Sequence, residues 1–301
     1  MRDRTNNSSQ APSGSCPDLL ASIVAATHHE VRLAEKRCSK LKLESMARAR
    51  NESMVSTETA NGTRFVQALT SGDHFKVIAE CKRRSPSKGV LRTNYLPDMI
   101  AYSYENSGAV AISVLTEQAF FDGHISHLET VREQVSLPVL RKDFIVTDYQ
   151  VVEARAAGAD AVLLIVAALN DDELAQFIEL GRQLSLDSLV EVHTEVEVQR
   201  AIDCGATIIG VNNRNLRTLE VNLDTSFNLI SKIPKNLVTV AESGISAPED
   251  LTALRRSGYD AFLIGESLLA DTDPGKALES LLSLTELHRR RTDKIVERED
   301  A

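Results

Sequence analysis

The sequence predicts an α/β protein built as one (β/α)8 TIM barrel with a helical extension in front of it. Two observations carry this expectation: a joint that recurs along the chain, and the number of apolar runs those joints introduce. From Phe75 onward a helical segment ends in glycine, two or three residues pass, and a short β-branched run begins. The joints read ENSGAVAISVL, ARAAGADAVLLIV, IDCGATIIGVN and RRSGYDAFLIG. Gly108, Gly158, Gly205 and Gly258 suit the left-handed residue that ends a helix, where a side chain is penalised. The runs lack the alternation of a half-exposed strand, as expected of parallel strands covered on both faces. They fall near 76–81, 109–114, 137–141, 160–165, 188–192, 207–211, 237–241 and 260–264. Eight such units between residues 75 and 292 match the size of one closed barrel. A doubly wound sheet is the rival architecture, but no Gly-x-Gly-x-x-Gly opens any unit.

Taken in order, residues 1–16 are rich in Ser, Asn, Gln, Pro and Gly and read as a disordered tail. From Pro17 the pattern turns helical: Asp18 can cap, and Leu19, Leu20, Ile23 and Val24 form an apolar stripe that Val31 and Leu33 extend. A polar stretch from Asn51 to Thr63 precedes a short helix with Phe65, Val66 and Leu69. Residues 17–74 are therefore expected to be helices packed on the barrel. The barrel itself is expected over 75–292, with a last helix from Pro274 to about Arg291, and 293–301 as a polar C-terminal tail.

Composition removes several function classes. A net charge of −9 argues against general nucleic-acid binding, so the basic tract Lys82, Arg83, Arg84 and Lys88 is a local feature. No aromatic residue is interleaved in it for base stacking. No run approaches the roughly 18 apolar residues of a membrane span. The N-terminal MRDRTNNSSQAPSGS lacks the apolar centre of a signal peptide. Cys16, Cys38, Cys81 and Cys204 lie far apart, with neither zinc-type nor redox-pair spacing. The expectation is a reduced, cytoplasmic enzyme acting on a small molecule, with no nucleic-acid or membrane partner.

In such barrels chemistry sits at the C-terminal ends of the strands. Those ends carry Glu80 and Lys82, Lys142, Glu191, Asn212 and Glu242, which would converge on one mouth. Charges crowded between apolar walls are where pKa values move far enough for acid–base work. On the first strand Ile78, Glu80 and Lys82 share one face, so Cys81 turns to the helices as core filler. Ser243-Gly244-Ile245 and Gly265-Glu266-Ser267 follow the last two strands, where such barrels often bind phosphate. Lys82, Ser85 and Lys88 then lie where a loop can fold over a phosphorylated anion. His193, two residues after Glu191, can share its face and act as a base, but reads rather as a capping or solvent-exposed residue; His124 and His127 read as surface residues that complete no metal site.

These residues resemble one family, indole-3-glycerol phosphate synthase. The matching segments are IAECKRRSPSKG, SVLTEQAFFDG, PVLRKDFIV, DAVLLI, LVEVH, IGVNNRNL, VAESGI and FLIGESL, in family order across the whole barrel. The resemblance implies a carboxy-lyase that converts 1-(2-carboxyphenylamino)-1-deoxyribulose 5-phosphate to indole-3-glycerol phosphate, with neither metal nor organic cofactor. It implies Lys142 as the acid for ring closure, Glu191 as a second proton-transfer residue, and Glu80 and Asn212 as groups orienting the reacting hydroxyl. Lys82 becomes an anion-binding lysine, and Ser85 and Arg214 flank the substrate carboxylate. Phe121, Phe144, Leu163 and Leu216 form the apolar lining, Glu242 and Ser243 the mouth, and Gly244, Gly265 and Glu266 the phosphate N–H donors. A glutamate at 266 would repel phosphate unless its side chain turns away. A monomer is implied, with loose association with other tryptophan-pathway enzymes. Two alternatives stand beside this: a silent barrel that only binds a phosphorylated ligand, and phosphoribosylanthranilate isomerase, which uses a first-strand Cys and a sixth-strand Asp.

Overall fold

The computed structural model describes residues 18–54 and 63–299; the expected tail at 1–16 and the last two residues lie outside them. Helix α1 (Leu19–Arg37) starts at Asp18, whose carboxylate accepts the N–H of Leu20 at 3.1 Å and of Ala21 at 3.4 Å. Its buried stripe is Leu20, Ile23, Thr27 and Val31; Leu33 falls off that arc and is 36% exposed. The chain breaks at Cys38 and Ser39 and continues as α2 (Lys40–Met54), a helix whose mostly polar sequence had not announced it. After residue 63 comes the short α3 (Arg64–Thr70), capped by Thr63.

The barrel strands are β1 (Lys76–Cys81), β2 (Ala111–Leu115), β3 (Val139–Lys142), β4 (Ala161–Ile165), β5 (Asp187–Val192), β6 (Ile208–Asn212), β7 (Val238–Glu242) and β8 (Ala261–Ile264). Each pairs in parallel with its sequence neighbours, and β8 pairs with β1 to close the ring. The helices α4 (Pro97–Asn106), α5 (Ile125–Gln134), α6 (Asp148–Ala157), α7 (Asp171–Gln183), α8 (Glu195–Asp203), α9 (Asp224–Leu229), α10 (Pro248–Ser257), α11 (Glu266–Leu269) and α12 (Pro274–Glu299) follow the strands. No proline or glycine follows Gly275 to stop α12, and it runs past Arg291 through most of the stretch read as a tail. The basic tract after β1 folds as a small antiparallel hairpin, Arg84–Ser85 against Gly89–Val90.

Side-chain parity divides the core in two. Val77, Ala79 and Cys81 on β1, Val190 and Val192 on β5, and Ile209 and Val211 on β6 pack against the helices. Ile78, Leu140, Leu163, Leu189, Ile208, Val240 and Leu263 point the other way and fill the barrel. Helix α3 plugs the end where the strands begin. Its Phe65 and Leu69 are fully buried in the interior cluster, while Arg64 reaches Asp160 (3.4 Å), just ahead of β4. Helix α1 lies across the opposite end, where Leu20 and Ile23 join the same cluster. Helix α2 lies along α6, with Leu43 and Ala47 against Tyr149, Val152 and Ala156, and Lys40 pairs with Asp148 at 2.6 Å.

Truncating the plug tests this architecture. Phe65→Ala is expected to cost about 3–5 kcal/mol, read as a lower melting temperature. Because Phe65 sits away from the mouth, KM of the folded variant should stay at the parent value.

Candidate active site

The last inward-facing residue of several strands is charged or polar. Glu80, Lys142, Glu191 and Glu242 arrive at one level because each follows an apolar interior residue by two positions, and Asn212 follows Gly210 in the same way. With Lys82, just past β1, they line one cavity of about 570 Å³. Phe121, Phe144, Leu163 and Leu216 form its apolar wall, and Ser85, Arg214, Ser243, Gly244, Gly265 and Glu266 complete the lining. All the residues singled out from the sequence therefore share this cavity. Leu19 and Ile23 of α1 line it too, which their helical stripe alone did not reveal.

Lys142 is the centre of the charge arrangement. Its Nζ donates to Glu191 Oε2 at 3.2 Å and lies 3.4 Å from Glu242 Oε2. Burial works against the ammonium, but Glu191, Glu242 and Glu80 outweigh it and raise its pKa. Burial would likewise raise Glu191, yet Lys142 and His193 outweigh it and hold that carboxyl below its usual value. Glu242 goes the other way. Burial comes first, Lys142 opposes it, and the charges of Glu191 and Glu80 add to it, pushing the pKa to about 8. One ammonium thus stabilises one ionised carboxylate and leaves the second protonated near neutrality. A separate pair, Lys82 Nζ to Glu80 Oε1 at 2.5 Å, stands beside it.

Two glycines give these carboxylates their space. A Cβ at Gly210 would sit 2.1 Å from Glu242 Oε1, and one at Gly265 would sit 2.6 Å from Glu80 Oε1. Gly265 was read as a phosphate residue, but it is also where β8 makes room for Glu80. After β7, Ser243 and Gly244 are both left-handed, with φ of 65° and 81°. Asn213 holds that turn, its Nδ2 donating to the carbonyls of Glu242 (3.0 Å) and Ser243 (3.1 Å). On the opposite wall, Glu117 accepts the N–H groups of Ala119, Phe120 and Phe121 and so sets Phe121 at 6.1 Å from the Phe144 ring. Behind Lys142, the buried Arg141 binds Asp143 (3.1 Å) and Glu153 (2.9 Å) and ties the end of β3 to α6.

Several expectations change. His193 is not a capping or solvent-exposed residue: its side chain is 14% exposed and lies between Glu191 and Glu197. It resumes the inward parity of β5 two residues after Glu191. His127 packs edge-on to Tyr95 at 5.3 Å and is half-buried, whereas His124 is exposed and caps α5. Glu266 turns its carboxylate to Arg214, 3.1 Å away, which leaves its backbone N–H at the cavity free of that charge. Cys81 faces the helices as parity required, and burial pushes its thiol up, away from reactivity. Among the described residues no group of His, Cys, Asp and Glu is arranged to hold a metal ion.

A family model described as indole-3-glycerol phosphate synthase matches residues 20–281. The chain belongs to that family. Relatives carrying the same name include one from Polaromonas sp., 44% identical over 267 residues that cover 89% of this chain and 99% of the relative. Another, indole-3-glycerol phosphate synthase 1 of Streptomyces coelicolor, is 52% identical over 219 residues, covering 73% and 81%. The one from Chloroherpeton thalassium is 53% identical over 194 residues, covering 64% and 75%. Among solved structures, thiamine phosphate pyrophosphorylase from Pyrococcus furiosus superposes with a TM-score of 0.55 at 19% identity, over 70% of this chain and 96% of that one. That likeness is one of fold alone.

The raised Glu242 carboxyl has a consequence for stability. Its pKa in the fold lies above the usual 4.5, so the fold favours the protonated form. That contribution is full below about pH 4.5 and is lost as the pH rises through about 8. Glu242→Gln, which cannot ionise, should therefore melt higher than the parent at pH 9, by about 2–4 °C for each ~1 kcal/mol recovered. The gap should shrink at pH 5; melting curves at the two pH values read it.

Proposed function

We propose that Lys142 is the acid that drives ring closure in the reaction of this family. That reaction turns 1-(2-carboxyphenylamino)-1-deoxyribulose 5-phosphate into indole-3-glycerol phosphate with loss of carbon dioxide and water, a carboxy-lyase step of tryptophan biosynthesis. One observation carries the assignment: the Lys142 ammonium is fixed between Glu191 and Glu242 at the centre of the cavity. As the aryl carbon attacks the ketone, charge builds on the carbonyl oxygen, and a positioned N–H donor stabilises it and then protonates it.

The remaining roles follow from position. The carboxylate that leaves as carbon dioxide meets the wall of Phe121, Phe144, Leu163 and Leu216, where charge is poorly solvated and a neutral product is favoured. Ser85 and Arg214 steer it there. Glu191, held ionised by Lys142, accepts the ring proton in the dehydration, and Glu80 and Asn212 orient the hydroxyl that departs. Phosphate is taken by the left-handed Ser243-Gly244 turn and the N–H groups at Gly265 and Glu266. Strand β1 is the neighbour of β8, so Lys82 stands beside that loop and supplies the countercharge. The Glu266 carboxylate is drawn off by Arg214 and does not oppose the phosphate.

The barrel over 75–292 is then the catalytic unit, with α3 and α1 covering its two ends. A cytoplasmic monomer remains the reading for its state, consistent with free thiols at Cys38, Cys81 and Cys204. A phosphoribosylanthranilate isomerase is not favoured, since Cys81 faces the helices and β6 ends in Asn212. A silent ligand-binding barrel is not favoured either, because the charged set is intact.

Indole fluorescence on adding the substrate tests the reading. Lys142→Ala should lower kcat by about 10²–10⁴-fold, with KM changed little. Full activity in that variant would move the acid role to Lys82. The pH profile should fall on the alkaline side near pH 8, where Glu242 ionises. The second negative charge then binds the Lys142 proton more tightly and makes it a poorer acid. In Glu242→Gln that alkaline limb should disappear.

A further inference from the structure

The reaction has a proton balance that the buried carboxylate cluster must meet. One proton goes to the carbonyl oxygen on ring closure and one to the departing hydroxyl, while one is withdrawn from the ring. The substrate enters with an ionised carboxylate and releases neutral carbon dioxide. Each turnover therefore takes up one proton from solvent. Glu191 and Glu242 are each 1% exposed, so that proton needs a route to the cluster.

On the far side of Glu191 from Lys142 stands His193, outside the substrate cavity. Its Nε2 lies 3.4 Å from Glu191 Oε1, and both atoms are buried without a hydrogen-bond partner. Its Nδ1 lies 3.3 Å from Glu197 Oε2, on the first turn of α8, and Glu197 is 17% exposed. The Glu197 carboxylate is itself fixed, accepting the His193 N–H at 2.6 Å. A line of titratable atoms thus runs from the surface through Glu197, His193 and Glu191 to Lys142.

We propose that His193 relays the proton taken up in each turnover from the Glu197 side to Glu191, and through Glu191 to Lys142. His193 accepts a proton at Nδ1 and passes the one on Nε2 to Glu191 Oε1; Glu191 returns a proton to the Lys142 amine left after ring closure. The ring is then left with its proton on Nδ1, and proton exchange with water between turnovers returns it to Nε2. No atom other than the proton moves, and water supplies it. The groups facing the imidazole are Glu191 from β5, Glu197 from α8 and Glu242 from β7. Burial disfavours the imidazolium, but the bond to Glu197 and these charges outweigh it and raise the pKa above that of free imidazole. A relay working near neutrality needs such a group. His193 acts through Glu191 and is thus a positioning and relay residue.

The inference rests on Glu191 as the proton-transfer residue, and Glu191→Gln tests that reading by itself: an active Glu191→Gln enzyme would sink the role of Glu191 before His193 is considered. For the relay, His193→Gln and Glu197→Gln are compared with the parent in single-turnover indole formation, across pH and with added imidazole buffer. His193→Gln should slow the step by about tenfold or more with KM unchanged. The loss should grow toward alkaline pH, and added imidazole should recover it. Glu197→Gln should show a smaller loss of the same shape. An unchanged single-turnover rate in His193→Gln would overturn the relay. So would a loss that is equal at every pH and insensitive to imidazole, because that pattern belongs to a structural role.

Discussion

The structure depends on keeping one ammonium, that of Lys142, buried between two carboxylates at the top of the barrel. An isolated charge there would be prohibitive, and losing one partner of such a pair costs about 3–5 kcal/mol. The neighbours answer this with an uneven division of charge. Glu191 stays ionised against the lysine and Glu242 is pushed toward the neutral form, so the trio carries little net charge at neutral pH. A lysine held this way keeps its proton until a developing oxyanion arrives, which suits an acid catalyst.

That trio demands space and rigidity, and the surrounding residues supply both. Gly210 and Gly265 leave the volume that Glu242 and Glu80 occupy. Asn213 fixes the turn beyond Glu242, and Arg141 anchors the strand that delivers Lys142 to α6 through Glu153. The two ends of the barrel are treated differently: α3 seals one with Phe65 and Leu69, while α1 leaves a walled opening at the other. The extension thus stabilises the barrel below and shapes the cavity above.

Much of the site was legible in the sequence because strand parity is a local rule. Once β1, β3, β5, β6 and β7 are recognised, Glu80, Lys142, Glu191, Asn212 and Glu242 must face inward, and Cys81 outward. His193 obeys the same parity, yet it lies past the end of β5, where the strand rule no longer binds and a loop residue reads as exposed. Helix α2 escaped for another reason: its apolar residues are scattered, with Leu41 and Met46 exposed, and only Leu43 and Ala47 turn to α6, too few to show as a stripe.

The sequence by itself determined the repeated strand–helix unit, the glycines that end helices and the order of polar residues at the strand tips. Those are set by backbone preference and by the two-residue period of a strand, which operate within a few residues. The tertiary structure alone decided which carboxylate is ionised, that Arg214 takes up Glu266, and that His193 joins Glu191 to Glu197. Those outcomes depend on distances between strands far apart in sequence and on the loss of water around them. Burial and Coulomb terms of that kind have no signature until the ring is closed.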